Sequence, residues 1–124
     1  MKVVITHVTF VLYWRARIGA LARLLRARGD QLFVIEVTGQ DGVYSFDERI
    51  ASPQPDVEWL QLFGRSNLHD HRPRAIGGAL WAALERIQPD VVIASSIVFP
   101  TGATAVRWCR HRRRGVVIMD TARL

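Results

Sequence analysis

Four short apolar runs recur along the chain, and helical patterns separate most of them. The runs begin at Val3, Leu32, Val91 and Val116. Strands that alternate with helices favour a parallel sheet whose strands are joined by right-handed crossovers. Open sheets of this kind bind ligands beyond the carboxyl ends of their strands. The sequence therefore predicts an open parallel α/β sheet, with functional residues just after each apolar run.

The predicted elements cover most of the chain. Strands are expected over residues 2–8, 31–38, 57–63, 91–95 and 116–119, and helices over 13–28, 74–87 and 101–114. Residues 39–56 hold many Gly, Pro, Ser and Asp residues, which predicts an irregular excursion with a short strand or turn at 43–46. We expect strand order 3-2-1-4-5 with helices on both faces, which places the switch point between the first and fourth strands.

Single residues mark the predicted helix ends. Gly29 and Gly115 follow two of the helices, where glycine accepts the left-handed conformation that closes a helix. Thr101 stands at the start of the last helix, where a threonine side chain caps free backbone N–H groups.

Length and composition limit the class of protein. At 124 residues the chain, residues 1–124, forms a single domain. No apolar run approaches the roughly 20 residues that span a bilayer, and the first residues are typical of a strand rather than a signal peptide. The single cysteine, Cys109, is expected to be a buried small hydrophobe and fits a reducing compartment. We expect a cytoplasmic protein, with peripheral attachment to the inner membrane face left open.

Arginine dominates the charge of the chain. The net charge is +6, and Lys2 is the only lysine among the 17 cationic side chains. Two clusters, over residues 15–28 and 107–114, belong to helices that the predicted strand order places on opposite faces. Because nucleic acids need a continuous basic surface, they are not expected as partners. Contact with an anionic membrane surface remains an alternative.

His7 and Asp120 are the candidate catalytic residues, because each follows a predicted strand at the expected crevice. His7 either faces a ligand, as a polar contact or as an acid-base histidine, or caps the strand end through a backbone hydrogen bond. Asp120 either presents a carboxylate at the rim or caps the next turn. The sequence leaves both pairs of alternatives open.

Tyr13, Arg15 and Arg17 open the first predicted helix. An arginine in a first helical turn opposes the helix dipole, and no acid nearby offsets it. These residues are therefore candidates for contact with an anionic ligand such as a phosphate. The alternative is solvent exposure, with the aliphatic stems covering apolar surface.

Ser95, Ser96, Thr101 and Gly102 surround the start of the last predicted helix. Free backbone N–H groups at a helix start attract anions, so these four residues are candidate ligand contacts. Neither serine lies in a Gly-x-Ser-x-Gly elbow, and a nucleophilic serine is not expected.

His69 and Arg72 lie in the most polar loop of the chain, His69-Asp70-His71-Arg72. The spacing provides no third strong ligand, so no metal is expected there. A solvated loop is favoured. A loop that contacts substrate through His69 and Arg72 is the alternative.

Cofactor fingerprints are missing from the sequence. Glu36 stands near the position where dinucleotide-binding folds hold an acid, but residues 7–14 contain no Gly-x-Gly-x-x-Gly. No Gly-x-x-x-x-Gly-Lys occurs either. We therefore expect no bound cofactor.

A family resemblance is carried by a Leu-rich helix that ends in Arg-Gly before a strand, and by a Pro-Asp-Val-Val segment. The chain resembles the N-terminal half of a GT-B glycosyltransferase of the family-4 type. Four segments carry this resemblance: residues 1–8, 17–29, 87–93 and 114–118. The resemblance implies a Rossmann-like half that binds the sugar acceptor. It implies that a C-terminal domain or partner subunit binds the nucleotide-sugar donor, and that the chain alone is inactive.

The chain departs from that family at two sites. Tyr13-Trp14-Arg15 stands near the position of the family's Gly-Gly pair, and Asp120 or Thr121 replaces a histidine. No helix follows the fifth strand, so we expect an incomplete acceptor-side domain. The alternative is a stand-alone flavodoxin-like binding or regulatory module without catalysis.

Overall fold

A five-stranded parallel sheet forms the centre of the protein. The computed structural model describes residues 1–10, 14–38, 57–64, 66 and 68–119. The strands are β1 (Lys2–His7), β2 (Gln31–Glu36), β3 (Glu58–Gln61), β4 (Val91–Ser95) and β5 (Gly115–Met119). Their order is β3-β2-β1-β4-β5, with every neighbouring pair parallel. The predicted Rossmann-like α/β sheet and its strand order are confirmed.

Three helices connect the strands within the described residues. They are α1 (Trp14–Ala27), α2 (Pro73–Ile87) and α3 (Pro100–Arg112), and a 3-10 turn covers Leu68–Asp70. Each helix lies within about two residues of its predicted bounds. The strand or turn predicted at 43–46 lies outside the described residues, as does the rest of the excursion over 39–56.

The two faces of the sheet carry separate apolar cores. Val4 and Val92 point to the face covered by α2 and α3, where they pack with Leu80 and Trp108. On the opposite face Val3, Ile5, Leu32 and Val34 pack with Ile18 of α1. Successive strand residues point to opposite faces, which is why neighbours such as Val3 and Val4 enter different cores. The two arginine clusters therefore lie on helices at opposite faces, as predicted.

Glu85 ties α2 to α3. Its carboxylate accepts hydrogen bonds from the Trp108 indole at 3.1 Å and from Arg112 Nη2 at 2.6 Å. The bond from Arg112 lowers the pKa of Glu85 below its ordinary value. Cys109 is buried beside this contact, as predicted, and burial raises the pKa of its thiol to about 11. A protonated, buried thiol is a packing residue.

One predicted helix end is right and one is wrong. Gly29 has φ +80° and follows α1, as expected of a closing glycine. After α3, however, Arg113 takes the left-handed conformation with φ 57°. Gly115 already begins β5, and its N–H donates to the Asp90 carbonyl at 3.1 Å. Because only two residues separate α3 from β5, the turn has to be completed before Gly115.

Candidate binding site at the carboxyl edge of the sheet

Four polar side chains form a row at the carboxyl ends of adjacent strands: Gln61, Glu36, His7 and Ser95. Glu36 pairs in register with Gln61 and with His7. Ser95 lies one residue beyond the Thr6–Ala94 pair, at the level of His7. The residues two positions earlier, such as Val34, belong to the core under α1, so the row faces α1.

His7 is held by its own strand end and by aromatic rings. The Nδ1 atom accepts a hydrogen bond from the Val8 N–H at 2.8 Å, which places the proton of the neutral ring on Nε2. The ring centroids of Phe99, Phe10 and Trp14 lie 5.4, 5.8 and 6.3 Å away. Burial lowers the pKa of His7. Of the two sequence interpretations, the structure displays the backbone-capping bond, and contact with a ligand stays a prediction.

Glu36 is the most enclosed charged residue of the row, with 2% of its surface exposed. Its carboxylate accepts hydrogen bonds from the Phe10 N–H at 2.8 Å, Trp59 Nε1 at 2.9 Å and Gln61 Nε2 at 2.8 Å. Burial raises the pKa of Glu36, and the three hydrogen bonds act in the opposite direction. The carboxylate thus fixes the segment after β1 against β2 and β3. Sequence reasoning considered Glu36 only as a cofactor ligand and missed this role.

The start of α3 packs tightly against the end of β4. The Ser95 and Thr101 hydroxyls lie 2.7 Å apart, and both side chains are fully buried. The prediction of Thr101 as N-cap is wrong, because α3 begins at Pro100 and Phe99 occupies the cap position without a side-chain cap bond. Thr101 lies inside the first turn, where its hydroxyl meets Ser95 instead of the free backbone N–H groups.

Gly102 is required by this close approach. A Cβ atom at this position would collide with the backbone carbonyl oxygens of Ser95 and Ser96. The Ser96 carbonyl also accepts the Phe99 N–H at 3.0 Å. Close packing alone therefore explains why a glycine occupies position 102, and no ligand contact is needed to explain it.

Arg15 and Arg17 lie in the first turn of α1, which holds no acidic residue. Arg15 is partly buried, whereas Arg17 is exposed and its guanidinium lies 5.5 Å from the centre of the Trp14 ring. Such stacking is worth about 0.5–1 kcal/mol at an exposed site. Both cations lie on the face of the sheet that carries the polar row.

His69 and Arg72 are exposed and lie between β3 and α2. The ordered histidine of this segment is His71, whose ring stacks on Phe63 with centroids 4.1 Å apart. Its Nε2 lies 2.6 Å from Ser66 Oγ. In the ranges that the structure describes, no group of three His, Cys, Asp or Glu side chains is arranged to hold a metal ion.

Two of the candidate residues lie outside the described ranges: Tyr13 and Asp120. Of the others, His7, Ser95, Ser96, Thr101 and Gly102 come together around the ends of β1 and β4. His69 and Arg72 follow β3, at the other side of the sheet. The switch point predicted from strand order is thus the place where the candidates converge.

The chemistry available at this edge is hydrogen bonding. The Ser95 hydroxyl meets Thr101, and His7 Nδ1 accepts the Val8 N–H, so Nδ1 of His7 is not positioned to take a proton from Ser95. The hydroxyls of Thr6 and Thr9 are buried without a hydrogen-bond partner in the described part of the chain. Buried hydroxyls normally find partners. Thr6 directly precedes His7 in β1, so its side chain lies on the face under α2 and α3 and not in the polar row.

Comparison with known protein families and with curated protein sequences finds no match to this chain. Among the described helices, none combines the length and the apolar character needed to cross a membrane.

Proposed function

We propose that this chain is the acceptor-binding half of a glycosyltransferase, which moves a sugar from a nucleotide-sugar donor to an acceptor. The observation that carries the proposal is the convergence of candidate residues at the β1–β4 switch point of a Rossmann-like sheet. Ligands of open α/β sheets bind at such a point. The sequence resemblance to GT-B enzymes supplies the reaction class, by analogy.

In this proposal His7 orients the acceptor. With Nδ1 occupied by the Val8 N–H, the imidazole offers the Nε2 proton as a hydrogen-bond donor to a sugar oxygen. Service as a general base at Nε2 would require the other tautomer and the loss of that backbone bond. Asp120 therefore stays the candidate for a catalytic carboxylate.

The donor belongs to another part of the enzyme in this proposal. A C-terminal domain or a partner subunit binds the nucleotide-sugar, and both halves close over it. The chain 1–124 is then expected to bind acceptor sugars weakly and to transfer nothing by itself.

The test is an amide NMR titration of the chain with methyl glucoside, methyl mannoside and UDP-glucose. We expect at least one glycoside to shift the amides of Val8, Thr9 and Ser96, and the His7→Ala variant to weaken that binding. The His111→Ala variant serves as the control, because His111 lies in the last turn of α3.

Two outcomes would overturn the proposal. One is tight binding and hydrolysis or transfer of UDP-glucose by the chain alone, which would make this half a complete enzyme. The other is the absence of any glycoside effect at the carboxyl edge. Binding of the glycosides that His7→Ala leaves unchanged would remove His7 from the site.

A further inference from the structure

A groove of about 860 Å³ lies between α2 and α3, on the face of the sheet opposite α1. Its lining includes the small residues Gly77, Gly78 and Ala103 and the ring of Trp81. A Cβ atom built on Gly78 meets no other atom within 4 Å. The volume is in the range of sites that hold small-molecule ligands.

The rim of the groove at the β4–α3 turn is apolar and exposed. Ile97 is 61% exposed, Val98 81% and Phe99 39%. A contiguous patch of exposed apolar side chains typically marks a binding site for a ligand or a partner. Phe99 also touches the His7 ring, so it separates the groove from the carboxyl-edge site.

The charged side chains that line the groove are both cationic: Arg74 on α2 and Arg107 on α3. No described residue forms an ion pair with either guanidinium. Gly77 of α2 and Thr104 of α3 lie at the same height along the two helices, because a Cβ on Gly77 would lie 2.9 Å from Thr104 Oγ1. Arg74 is three residues before that level and Arg107 three residues after it, which separates them by roughly 9 Å along the helices.

We propose that this groove binds a single-chain amphipathic anion, with an apolar chain along Trp81 and the glycines and an acidic head at Arg74 or Arg107. Arginine binds carboxylate and phosphate heads through the same forked geometry. At this arginine-lined groove an anion is favoured over a second copy of the chain, whose net charge is +6. The inference does not depend on sugar transfer.

A free amphiphile fits better than a bilayer. The two cations lie along the walls of the groove, one near its start and one about two turns further, instead of forming a ring around the exposed turn. The bonds from Trp108 and Arg112 to Glu85 hold the two helices together beyond the groove. The groove is therefore preformed, and an occupant does not have to separate the helices.

The test uses dodecyl phosphate and dodecanoate as probes, below the concentrations at which they form micelles, with the amides of Gly77, Gly78 and Ala103 as the readout. We expect saturable binding of both anions and none of dodecyltrimethylammonium. Loss of Arg74 or Arg107 by substitution with Ala is expected to weaken binding about two- to fivefold each, as for an exposed ion pair. Arg23→Ala, which removes the same charge from α1, is expected to change nothing.

The Gly78→Leu variant distinguishes binding in the groove from binding to surface charge in general. The Cβ atom of the new side chain meets no other atom within 4 Å. The leucine is expected to weaken binding at least about tenfold, because it would occupy the space of the apolar chain. Equal binding of the cationic amphiphile, or unchanged binding by Gly78→Leu, would overturn the proposal. Binding seen only with phosphatidylglycerol vesicles would also overturn it, in favour of membrane docking.

Discussion

At the scale of single residues, Glu36 shows how a buried charge is tolerated. Its carboxylate accepts hydrogen bonds from three N–H donors in two different segments, one from the segment after β1 and two from residues of β3. Each donor would itself be buried or half-buried without a partner if the carboxylate were lost. Glu36 therefore stabilises the backbone around the candidate site, and its carboxylate is already occupied by these three hydrogen bonds.

We expect Glu36→Gln to destabilise the fold by about 1–3 kcal/mol at neutral pH, because the amide presents its own N–H groups to the donors of Phe10, Trp59 and Gln61. The measurement is urea unfolding. Glu58→Gln, an exposed change on β3, is the control and should stay close to the wild type. Equal stability of the two variants would show that the three bonds contribute nothing.

His7 gives the fold a pH dependence with a definite sign. Burial lowers its pKa in the folded protein, so the unfolded chain binds a proton at a higher pH than the folded one. Stability is therefore present above the ordinary histidine pKa and is lost as the pH falls toward the lowered folded value. Protonation of Nδ1 would also break the bond from Val8.

We expect the free energy of unfolding of the wild type to fall more than that of His7→Asn when the pH is lowered from about 7.5 to about 5.5. Asn keeps a short acceptor near Val8 but has no proton to gain. Chemical denaturation across this range measures both slopes. Parallel curves would mean that His7 titrates alike in the folded and unfolded chains.

At the scale of elements, β4 and α3 pack closely against each other at their junction. Gly102 in the first turn of α3 lies against the carbonyl groups of Ser95 and Ser96. The hydroxyls of Ser95 and Thr101 make a second contact between the same two elements. The exposed turn Ile97–Phe99 connects the two elements at this junction. The same packing therefore shapes the carboxyl edge and the rim of the groove.

Gly102→Ala is expected to destabilise the protein by about 1–3 kcal/mol, the usual cost of overpacking, because the new methyl group meets backbone that cannot rotate away. Gly78→Ala is the matched control. Its methyl group enters open space in α2 and should stabilise the helix by up to about 1 kcal/mol. Thermal unfolding of both variants tests the pair, and a neutral Gly102→Ala would contradict the packing argument.

At the scale of the whole molecule, the sheet is covered unevenly. Val117 of β5 is 53% exposed, although Met119 and Ile93 on the same face pack against the α1 core. β5 is an edge of the described sheet, and its sequence Gly115–Met119 carries no charge. An uncharged edge strand with exposed apolar residues is a pairing site for another chain.

We expect the chain to self-associate as its concentration rises, and Val117→Lys to suppress this, because an edge lysine opposes strand pairing. Sedimentation equilibrium over a range of concentrations provides the masses. The control is Arg23→Lys on α1, which conserves charge and lies away from β5. A lysine at Val92 would not serve, because Val92 is fully buried and the variant would not fold. A wild type that stays monomeric throughout would contradict the prediction.

Particular elements explain where sequence reasoning succeeded and failed. The strand order followed from apolar runs and the handedness of crossovers, which depend on local pattern and chain chirality. The end of α3 was misplaced because Gly115 has the right composition for a closing glycine, whereas the short connection required Arg113 to adopt the left-handed conformation. Thr101 was misassigned for a similar reason, since its partner, Ser95, belongs to another element.

The sequence by itself determined the class of the fold, the positions of the strands and helices, and the edge at which the candidate residues gather. It could do so because hydrophobic periodicity and connection handedness act along the chain. Only the tertiary structure decided that Glu36 is a structural clamp, that His7 Nδ1 is occupied, and that an arginine-lined groove opens between α2 and α3. These features depend on which side chains from distant segments meet, and such meetings are set by the packing of elements against each other.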